Sequence, residues 1–457
     1  MLGKQKLIAD NKNITYKEGI LKQLIALSIP AIIEQVLSTL LQYVDTAMVG
    51  HLGEKATASV SVTTTVTWLV GSIPSAISVA VLAMLAKAVG SGEKSLIKGI
   101  SKQALFVTVV CGIIMGGISI VLSPYIPIWM GAEKLVRKQA SLYFFIISIP
   151  MVFRVSTSIL GAAIRATQDT RTPMIISMCA NGINVILNVV FIYVLKLGVT
   201  GAAIASAVSY SISGMLMFIA YRRNKMLYYN FKSFSIDTSI LKEGLKLSLP
   251  VLGSSMVSCL GYVFFAGMVS GMGTTVFAAH SIAVTAETIF YIPGYGLRTA
   301  ASTLVGVSLG ERNHKKFETV SSLSIIITVG MMCISGLVLY FVSYPLMCLF
   351  TNSSKAAALG ADMLKIVAFS EPFFGLMIVM EGIFYGLGKT GYAFFAESFC
   401  MWGIRIASTF LCVRVWHLGL DAVWYCMVAD NVCKAFLFTV PVLFKKGRQQ
   451  LLWTDDK

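Results

Sequence analysis

The chain of 457 residues is poor in charged side chains, which make up 13% of it, whereas an average soluble domain carries about 25%. Hydrophobic residues account for 56% of the chain, and a soluble fold could not bury that much apolar surface. The shortage of charge excludes a disordered chain and a coiled coil, and it leaves no room for an appended soluble enzyme. The sequence therefore indicates an integral membrane protein that crosses the bilayer many times.

Motifs for covalent chemistry and for metal binding are also absent from the sequence. The nine cysteines include no CxxC pair and all lie in apolar segments, which indicates small buried apolar side chains rather than a disulfide framework or a metal site. Neither HExxH nor a Ser/His/Asp order occurs. Gly388-Lys389-Thr390 ends like a phosphate-binding loop, but Ile383 stands where that loop requires glycine. We therefore expect a protein that is not an enzyme and that has no cofactor.

The net charge of +16, from 37 basic and 21 acidic side chains, would suggest a nucleic-acid partner for a soluble protein. Here the basic residues cluster in short loops between apolar spans, which is typical of cytoplasmic loops that face anionic lipid. We expect the lipid bilayer as a partner and no nucleic acid. The first nineteen residues are polar and basic and lack the short apolar core of a signal peptide.

Twelve stretches are long and apolar enough to cross a bilayer as helices, since each crossing needs about 20 residues. They are too long and continuous for the strands of a membrane barrel. The predicted spans cover residues 21–50, 56–86, 99–122, 139–164, 172–195, 199–221, 241–270, 276–309, 317–349, 359–386, 391–413 and 420–444.

The orientation of the chain follows from the loops. An even number of spans places both termini on one side of the membrane, and the loops on that side contain 24 Lys and Arg residues against 8 on the other. This bias predicts that both termini are cytoplasmic. The expected location is the plasma membrane, or the inner membrane if the host has two.

An internal repeat relates the two halves of the chain. Ile20-Leu-Lys-Gln-Leu-Ile-Ala-Leu-Ser-Ile-Pro30 matches Ile240-Leu-Lys-Glu-Gly-Leu-Lys-Leu-Ser-Leu-Pro250 at six of eleven positions, a spacing of 220 residues. Each half holds six spans, an even number, so both enter the membrane with the same orientation, as in a parallel repeat about an axis along the membrane normal. The predicted fold class is an all-α polytopic membrane protein with twelve transmembrane helices in two six-helix bundles.

The predicted domains follow from the spans and the repeat. They are a cytoplasmic tail 1–20, an N-terminal bundle 21–221, a linker 222–240, a C-terminal bundle 241–444 and a cytoplasmic tail 445–457. Two similar bundles are the minimum for alternating access, because one half can rock against the other. Duplicated bundles also build channels, so an ion channel remains an alternative.

Several motifs carry a family likeness. Val44-Asp45-Thr-Ala-Met-Val-Gly50 after Pro30 resembles the first helix of the multidrug and toxic compound extrusion (MATE) family, and Ile292-Pro293-Gly294 resembles its eighth. The likeness extends from about residue 20 to residue 445. It implies a secondary active antiporter, expected to work as a monomer, that exports small organic, cationic substrates in exchange for H⁺ or Na⁺. The nearest alternative is a lipid-linked precursor flippase of related architecture.

A carboxylate inside an apolar span is expensive in a bilayer and is a functional candidate by default, which singles out Asp45. Counting residues from the span ends places Asp45, Asn188 and Ser206 at about 10 Å depth, with Asn184 one turn from Asn188. The family resemblance implies that these four residues form the coupling-cation site, although some members have a second Asp in place of Asn188 and a Thr in place of Ser206. Oxygen ligands suit a small hard cation, so Asp45, Asn184 and Asn188 would hold the metal if Na⁺ is the coupling ion. The Asp45 carboxyl could instead take up a proton.

Three acids in the C-terminal half form a second candidate group. Glu287 and Glu371 fall near the middle of their spans, and Glu381 falls closer to the cytoplasmic end. Carboxylates at these depths favour contact with a cationic substrate or a second ion. Because Glu371 precedes Pro372, we also expect a helix distortion at this point.

The alternative for these acids is an internal ion network with the basic residues of the same half. Those residues are Arg298, Arg405 and Lys434. Asp430 and Lys434, four residues apart on one helix, could also satisfy each other.

Overall fold

The computed structural model describes residues 2–228, 236–351 and 353–443, and within these ranges all regular secondary structure is helical. The helices are α1 (Leu2–Gly50), α2 (Glu54–Ser91), α3 (Lys94–Leu122), α4 (Ile126–Trp129), α5 (Lys134–Ser148), α6 (Met151–Ala166), α7 (Arg171–Asn188), α8 (Gly198–Arg223), α9 (Thr238–Ser270), α10 (Thr274–Gly310), α11 (His314–Phe350), α12 (Ser354–Ala368), α13 (Glu371–Gly386), α14 (Thr390–Phe399), α15 (Ala407–Phe410) and α16 (Leu420–Leu443). Short π-helical segments extend α7 and flank α15.

The helices account for all twelve predicted spans. Ten spans are single stretches of helix that are long and apolar enough to cross a membrane. The other two are bent pairs, because α5 meets α6 at 51° and α12 meets α13 at 57°. The second bend lies at the expected distortion next to Pro372. The predicted fold class is confirmed.

The repeat is visible in the positions at which helices begin. Helices α2, α3, α5 and α6 begin at Glu54, Lys94, Lys134 and Met151, and their counterparts α10, α11, α12 and α13 begin at Thr274, His314, Ser354 and Glu371. Each pair of starts keeps the spacing of 220 residues found in the sequence. Gly53 and Gly273, just before α2 and α10, have φ angles of 101° and 117°, which only glycine adopts without strain. The repeat is therefore present in backbone geometry as well as in sequence.

The chain divides into two compact units. We call Ile33–Leu252 the N-terminal unit, and Met1–Ile32 together with Gly253–Lys457 the C-terminal unit. Their borders lie inside α1 and α9. The predicted bundles cover 21–221 and 241–444 instead. The bundle bounds stay a prediction. The predicted tail 445–457 and residues 229–235 of the predicted linker lie outside the described residues.

Side chains at helix starts take up free backbone N–H groups. Asn313 precedes α11, and its side chain accepts a hydrogen bond from the N–H of Lys316 at 3.0 Å. At the start of α9, the side chain of Asp237 accepts such hydrogen bonds. The hydroxyl of Ser239 donates to it, as do the N–H groups of Ile240 and Ser239, and these hydrogen bonds hold the pKa of this exposed carboxyl below its ordinary value. Helix α9 therefore begins at a capped position.

The cysteines differ in burial, which the sequence did not predict. Cys400, Cys412 and Cys426 are buried, as the sequence predicts. That prediction is wrong for Cys179, Cys333 and Cys348, which are exposed. A helix in a bilayer meets apolar surroundings on its lipid side as well as on its packed side, so an apolar segment does not decide which side a cysteine occupies.

Helices α3 and α6 of the N-terminal unit approach closely at glycines. A Cβ on Gly112 would lie 2.6 Å from Cα of Val152, and one on Gly116 would lie 3.1 Å from Cβ of Met151. Close approach at small residues is a main source of helix association in bilayers. Any side chain at Gly112 would force the two backbones apart.

We expect Gly112→Ala to destabilise the protein by about 1–3 kcal/mol, the usual effect of overpacking. The measurement is the thermal unfolding midpoint of detergent-purified protein. Gly117→Ala on the same helix is the matched control, since a Cβ there meets no atom within 4 Å. The control should be neutral or slightly stabilising, because alanine favours helix over glycine by about 1 kcal/mol. Equal midpoints for the two variants would contradict the close contact of α3 with α6.

Candidate functional site

Asp45 lies five residues before the end of α1 at Gly50, in the N-terminal unit. Its side chain is half-buried. The neighbouring turn of α1 contributes Val49 to an apolar cluster with Ile192 and Val199, against which Tyr143 packs. The carboxyl therefore sits beside apolar packing, where a partner for its charge has a strong effect.

Two asparagines one turn apart on α7 face this carboxyl. Asn188 donates from Nδ2 to Oδ1 of Asp45 at 2.5 Å and to Oδ1 of Asn184 at 3.1 Å. Both amides are buried, with exposed fractions of 7% for Asn184 and 2% for Asn188. These contacts bring Asp45 together with Asn188, which the sequence placed at the same depth, and with Asn184, which lies one turn away on α7. Cation binding by them stays a prediction.

The amide of Asn184 has two chemically different orientations. Its terminal atom facing Asp45 lies 2.9 Å from Oδ1 and 3.1 Å from Oδ2 of the carboxyl. With nitrogen in this position, Asn184 donates to the carboxylate, and the hydrogen bond from Asn188 to Asn184 is lost because the two amide nitrogens then lie 3.1 Å apart. With oxygen there, acceptors face each other, and the contact requires a proton on Asp45 or a cation between them. Oδ1 of Asn188 is buried and has no hydrogen-bond partner among the described residues.

Ser206 does not join this group through a hydrogen bond. It is half-buried on α8, and in the part of the chain that the structure describes no hydrogen bond links it to Asp45, Asn184 or Asn188. Depth along a helix was predicted from residue counting, whereas the direction of the side chain depends on how the helix is rotated. A role for Ser206 stays a prediction.

Glu34, a further acid in the apolar part of α1, was not singled out from the sequence. Arg165 places Nη1 3.4 Å from its Oε2, and Ser177 donates to its Oε1 at 3.0 Å. The rule that selected Asp45, an acid inside an apolar span, applies equally to Glu34. With both partners in place, Glu34 belongs to an ion pair inside the N-terminal unit.

Glu371 and Glu287 lie in the C-terminal unit. Glu371 is the first residue of α13 and is 1% exposed, and neither of its carboxyl oxygens has a hydrogen-bond partner among the described residues. Glu287 on α10 is 7% exposed and lies within electrostatic range of Glu371 and Arg405. An ionised carboxylate buried without a partner is expensive. Glu371 is therefore suited to holding a proton or a cation.

Glu381 has internal partners instead. Arg298 places Nη1 2.8 Å from its Oε2, and the hydroxyl of Tyr385 donates to its Oε1 at 2.5 Å. The guanidinium of Arg298 also lies over the ring of Tyr295, 4.6 Å from its centroid. This arrangement is the internal ion pair that the sequence left open as an alternative for Glu381. Substrate contact by Glu381 stays a prediction.

A buried chain of charges connects α14, α16 and the π-helical segment between α14 and α15. Asp430 lies 2.8 Å from Arg405 and 3.2 Å from Lys434, and Lys434 lies 3.1 Å from Glu397. The predicted pair of Asp430 with Lys434 is confirmed. Glu397 was missed, although it is an acid within a predicted span. Buried charges are tolerated when they are paired in this way.

The sequence model of the MatE family matches residues 30–190 and 250–411. These two matches cover most of the chain, and they begin at the same repeat spacing as the helices. The chain belongs to the MatE family. The resemblance found in the sequence motifs is therefore confirmed, and this MATE protein is a multi-pass membrane transporter and not an enzyme.

Named relatives and solved structures agree with this membership. The MATE chain is 26% identical to the probable multidrug resistance protein NorM of Thermotoga maritima over 98% of each chain. It is 25% identical to the probable multidrug resistance protein YpnP of Bacillus subtilis over 86% of this chain and 88% of that one. A MATE transporter of Vibrio cholerae superposes with a TM-score of 0.89 at 18% identity, covering 97% of this chain and 99% of that one. An outward-facing multidrug resistance MATE family transporter has a TM-score of 0.88 at 22% identity over 94% and 95%. These structures show the same fold.

Proposed function

We propose that this MATE protein is a multidrug efflux antiporter that exports small organic cations in exchange for H⁺ or Na⁺. The observation that carries the proposal is the contact of the Asp45 carboxyl with two buried amides on α7. The relatives from Thermotoga maritima and Bacillus subtilis, both described as probable multidrug resistance proteins, support the substrate class.

The Asn184 amide provides a way to sense the state of Asp45. When Asp45 is ionised, Asn184 turns its nitrogen inward and stabilises the negative charge together with Asn188. When Asp45 takes up a proton or a cation, Asn184 turns its oxygen inward and accepts a hydrogen bond or serves as a ligand. The ionised state of Asp45 and its proton- or cation-bound state therefore have different hydrogen bonds between α1 and α7. Such a difference is required for an ion to favour one conformation over another.

The choice between H⁺ and Na⁺ depends on the donor set. For Na⁺, the available ligands are the two Asp45 oxygens, Oδ1 of Asn184 and the unpartnered Oδ1 of Asn188. These are hard oxygen ligands of the right kind. They carry one formal negative charge, so a Na⁺ bound here has weaker attraction than between two carboxylates. A single proton on Asp45 neutralises the same charge.

Exchange follows if the coupling ion and the substrate favour opposite-facing states. A ligand shifts such an equilibrium only through its differential affinity for the two states. Glu287 and Glu371 supply negative charge in the C-terminal unit that would attract a cationic substrate or a second ion. We further propose that the protein works as a monomer, with both termini cytoplasmic, as the excess of basic residues on that side supports.

The proposal is tested with purified protein in liposomes loaded with ethidium. We expect an inward gradient of H⁺ or of Na⁺, imposed separately, to drive ethidium out against its own gradient with counter-movement of that ion. An ionophore that collapses the effective gradient should stop export, and protein-free liposomes are the control. Ion flux that needs no ethidium would indicate a channel. No uphill movement under either gradient would contradict the antiporter.

A further inference from the structure

Cys412 and Cys426 are two buried thiols in contact with each other in the C-terminal unit. Their Sγ atoms lie 3.8 Å apart, and both are free thiols. Cys412 belongs to the π-helical segment Leu411–Val415, and Cys426 belongs to α16. A disulfide bond holds its two sulfur atoms at about 2.05 Å. The two sulfurs therefore need to approach by about 2 Å to form a covalent bond.

A short turn in the chain sets this contact. The N–H of Trp416 donates to the carbonyl of Leu411 at 3.0 Å, and the N–H of Leu418 donates to the carbonyl of Cys412 at 2.8 Å. Helix α16 then begins at Leu420. The backbone at Cys412 is thus hydrogen-bonded to the turn that leads into α16. The two thiols are therefore held near each other by local backbone structure.

The thiol pair belongs to a series of contacts between the same two stretches of helix, Thr390–Val415 and α16. These stretches run antiparallel, and moving from the turn towards the middle of the spans, the thiol pair comes before the ion pair of Arg405 with Asp430, at 2.8 Å. Asp430 lies one turn of α16 from Cys426. A bond between the thiols would therefore join the two stretches close to their buried charges.

Exposed side chains mark this turn as the end of a membrane-spanning part. Arg414 and Asp421 are exposed on either side of it, and so are the rings of Trp416 and Tyr425. Charged residues together with Trp and Tyr are typical of the boundary between membrane and water. In the proposed orientation this end faces outside, where the glutathione of the cytosol does not keep thiols reduced.

We propose that Cys412 and Cys426 are a redox modification site, at which a peroxide forms a reversible disulfide that clamps the last two membrane-spanning stretches together. The inference goes beyond the transport function and does not depend on the coupling ion or the substrate. A disulfide stabilises a fold mainly by restricting the unfolded chain. The clamp therefore acts on the stability of the C-terminal unit.

The oxidation removes two electrons from the thiol pair. The sulfur of one cysteine attacks hydrogen peroxide, the O–O bond breaks, and the products are a sulfenic acid and one water, which takes the proton of that thiol. The sulfur of the other cysteine then attacks the sulfenic sulfur. The S–S bond forms as the S–O bond breaks, and the departing hydroxide leaves as a second water with the remaining thiol proton. A small thiol reverses the reaction by thiol–disulfide exchange.

The test uses purified full-length protein that is reduced, freed of reductant and treated with hydrogen peroxide. We expect mass spectrometry to find a linked peptide that pairs Cys412 with Cys426 and is lighter than the two free peptides by two hydrogen atoms. The thermal unfolding midpoint should rise by roughly 5 °C. Dithiothreitol should remove both the linked peptide and the rise.

Three serine variants separate this bond from general oxidation. Cys412→Ser and Cys426→Ser should each lose the linked peptide and the rise in midpoint. Cys400→Ser is the matched control and should keep both, because Cys400 is also buried and lies on the preceding π-helical segment. The measurements use the monomer fraction, which excludes molecules that are linked to each other through the exposed cysteines.

A peroxide-treated protein without the linked peptide would overturn the site, and a linked peptide without a rise in midpoint would overturn the clamp. So would a rise that persists in Cys412→Ser. If a serine variant fails to fold, the wild-type linked peptide and its reversal by dithiothreitol still decide. Ethidium export by the reduced protein is measured separately, so a failure of the antiporter would be seen there and would leave the evidence for the disulfide unchanged.

Discussion

The Asp45→Asn variant is expected to lose gradient-driven export by roughly 100-fold, at the upper end of the coupling between two ligand sites in proteins. Asparagine cannot take up or release a proton, and it carries no charge to hold a cation. The variant would leave Asn184 and Asn188 with a neutral partner at all times. The ionised state and the proton- or cation-bound state, which have different hydrogen bonds between α1 and α7, would then no longer exist. The measurement is initial ethidium export from proteoliposomes under the effective ion gradient.

The control for this variant is Asp421→Asn, which makes the same change at an exposed position in the first turn of α16. It should export at the wild-type rate. Ethidium binding to detergent-purified Asp45→Asn protein should persist, because the substitution removes coupling and not the substrate contacts proposed elsewhere. Full gradient-driven export by Asp45→Asn would contradict the proposed role of Asp45 as the central residue of the coupling site.

The second large effect is expected on stability, from Asp430→Asn. The Asp430 carboxyl is 0% exposed and neutralises both Arg405 and Lys434, whose side chains are each 5% exposed. Without it, Glu397 alone pairs with Lys434, and Arg405 keeps a buried charge with no ion pair. Removing one partner of a buried ion pair usually costs about 3–5 kcal/mol. We expect poor expression and a thermal midpoint lowered by roughly 10 °C.

Asp362→Asn is the matched control for Asp430→Asn. Asp362 pairs with Lys365 at 3.2 Å, with side chains 65% and 43% exposed, and exposed pairs contribute at most about 1 kcal/mol. The double variant Arg405→Met with Asp430→Leu should recover most of the lost stability, because apolar residues can replace a whole buried pair. Equal midpoints for wild type and Asp430→Asn would show that Asp430 is not the essential counter-charge.

The twelve spans were predictable because crossing a bilayer imposes a minimum length of apolar helix, which is read directly from hydropathy. The bend between α12 and α13 was also predictable, since proline at residue 372 removes a backbone hydrogen bond. The matching bend between α5 and α6 was not predicted as such. It became evident from the repeat, in which Met151 and Glu371 begin equivalent helices.

The candidate site was predicted in part. Asp45 stands out because its charge is expensive in an apolar span, and residue counting gave the depths of Asn184 and Asn188. The same counting included Ser206, which makes no hydrogen bond to them in the described structure. Neither Glu34 nor its ion pair with Arg165 was identified from the sequence. The depth of these residues along their helices could therefore be predicted from the sequence, whereas their hydrogen-bond and ion-pair partners could not.

By itself, the sequence determined the membrane class, the twelve spans, the parallel repeat and the acid on the first helix. The folded structure shows which polar side chains meet, namely two amides at Asp45 and ion pairs at Glu34, Glu381 and Asp430. The physical reason is that lipid and protein interior are both apolar. Hydropathy therefore sets how far a residue lies along a helix, whereas the rotation of that helix is set by packing with its neighbours.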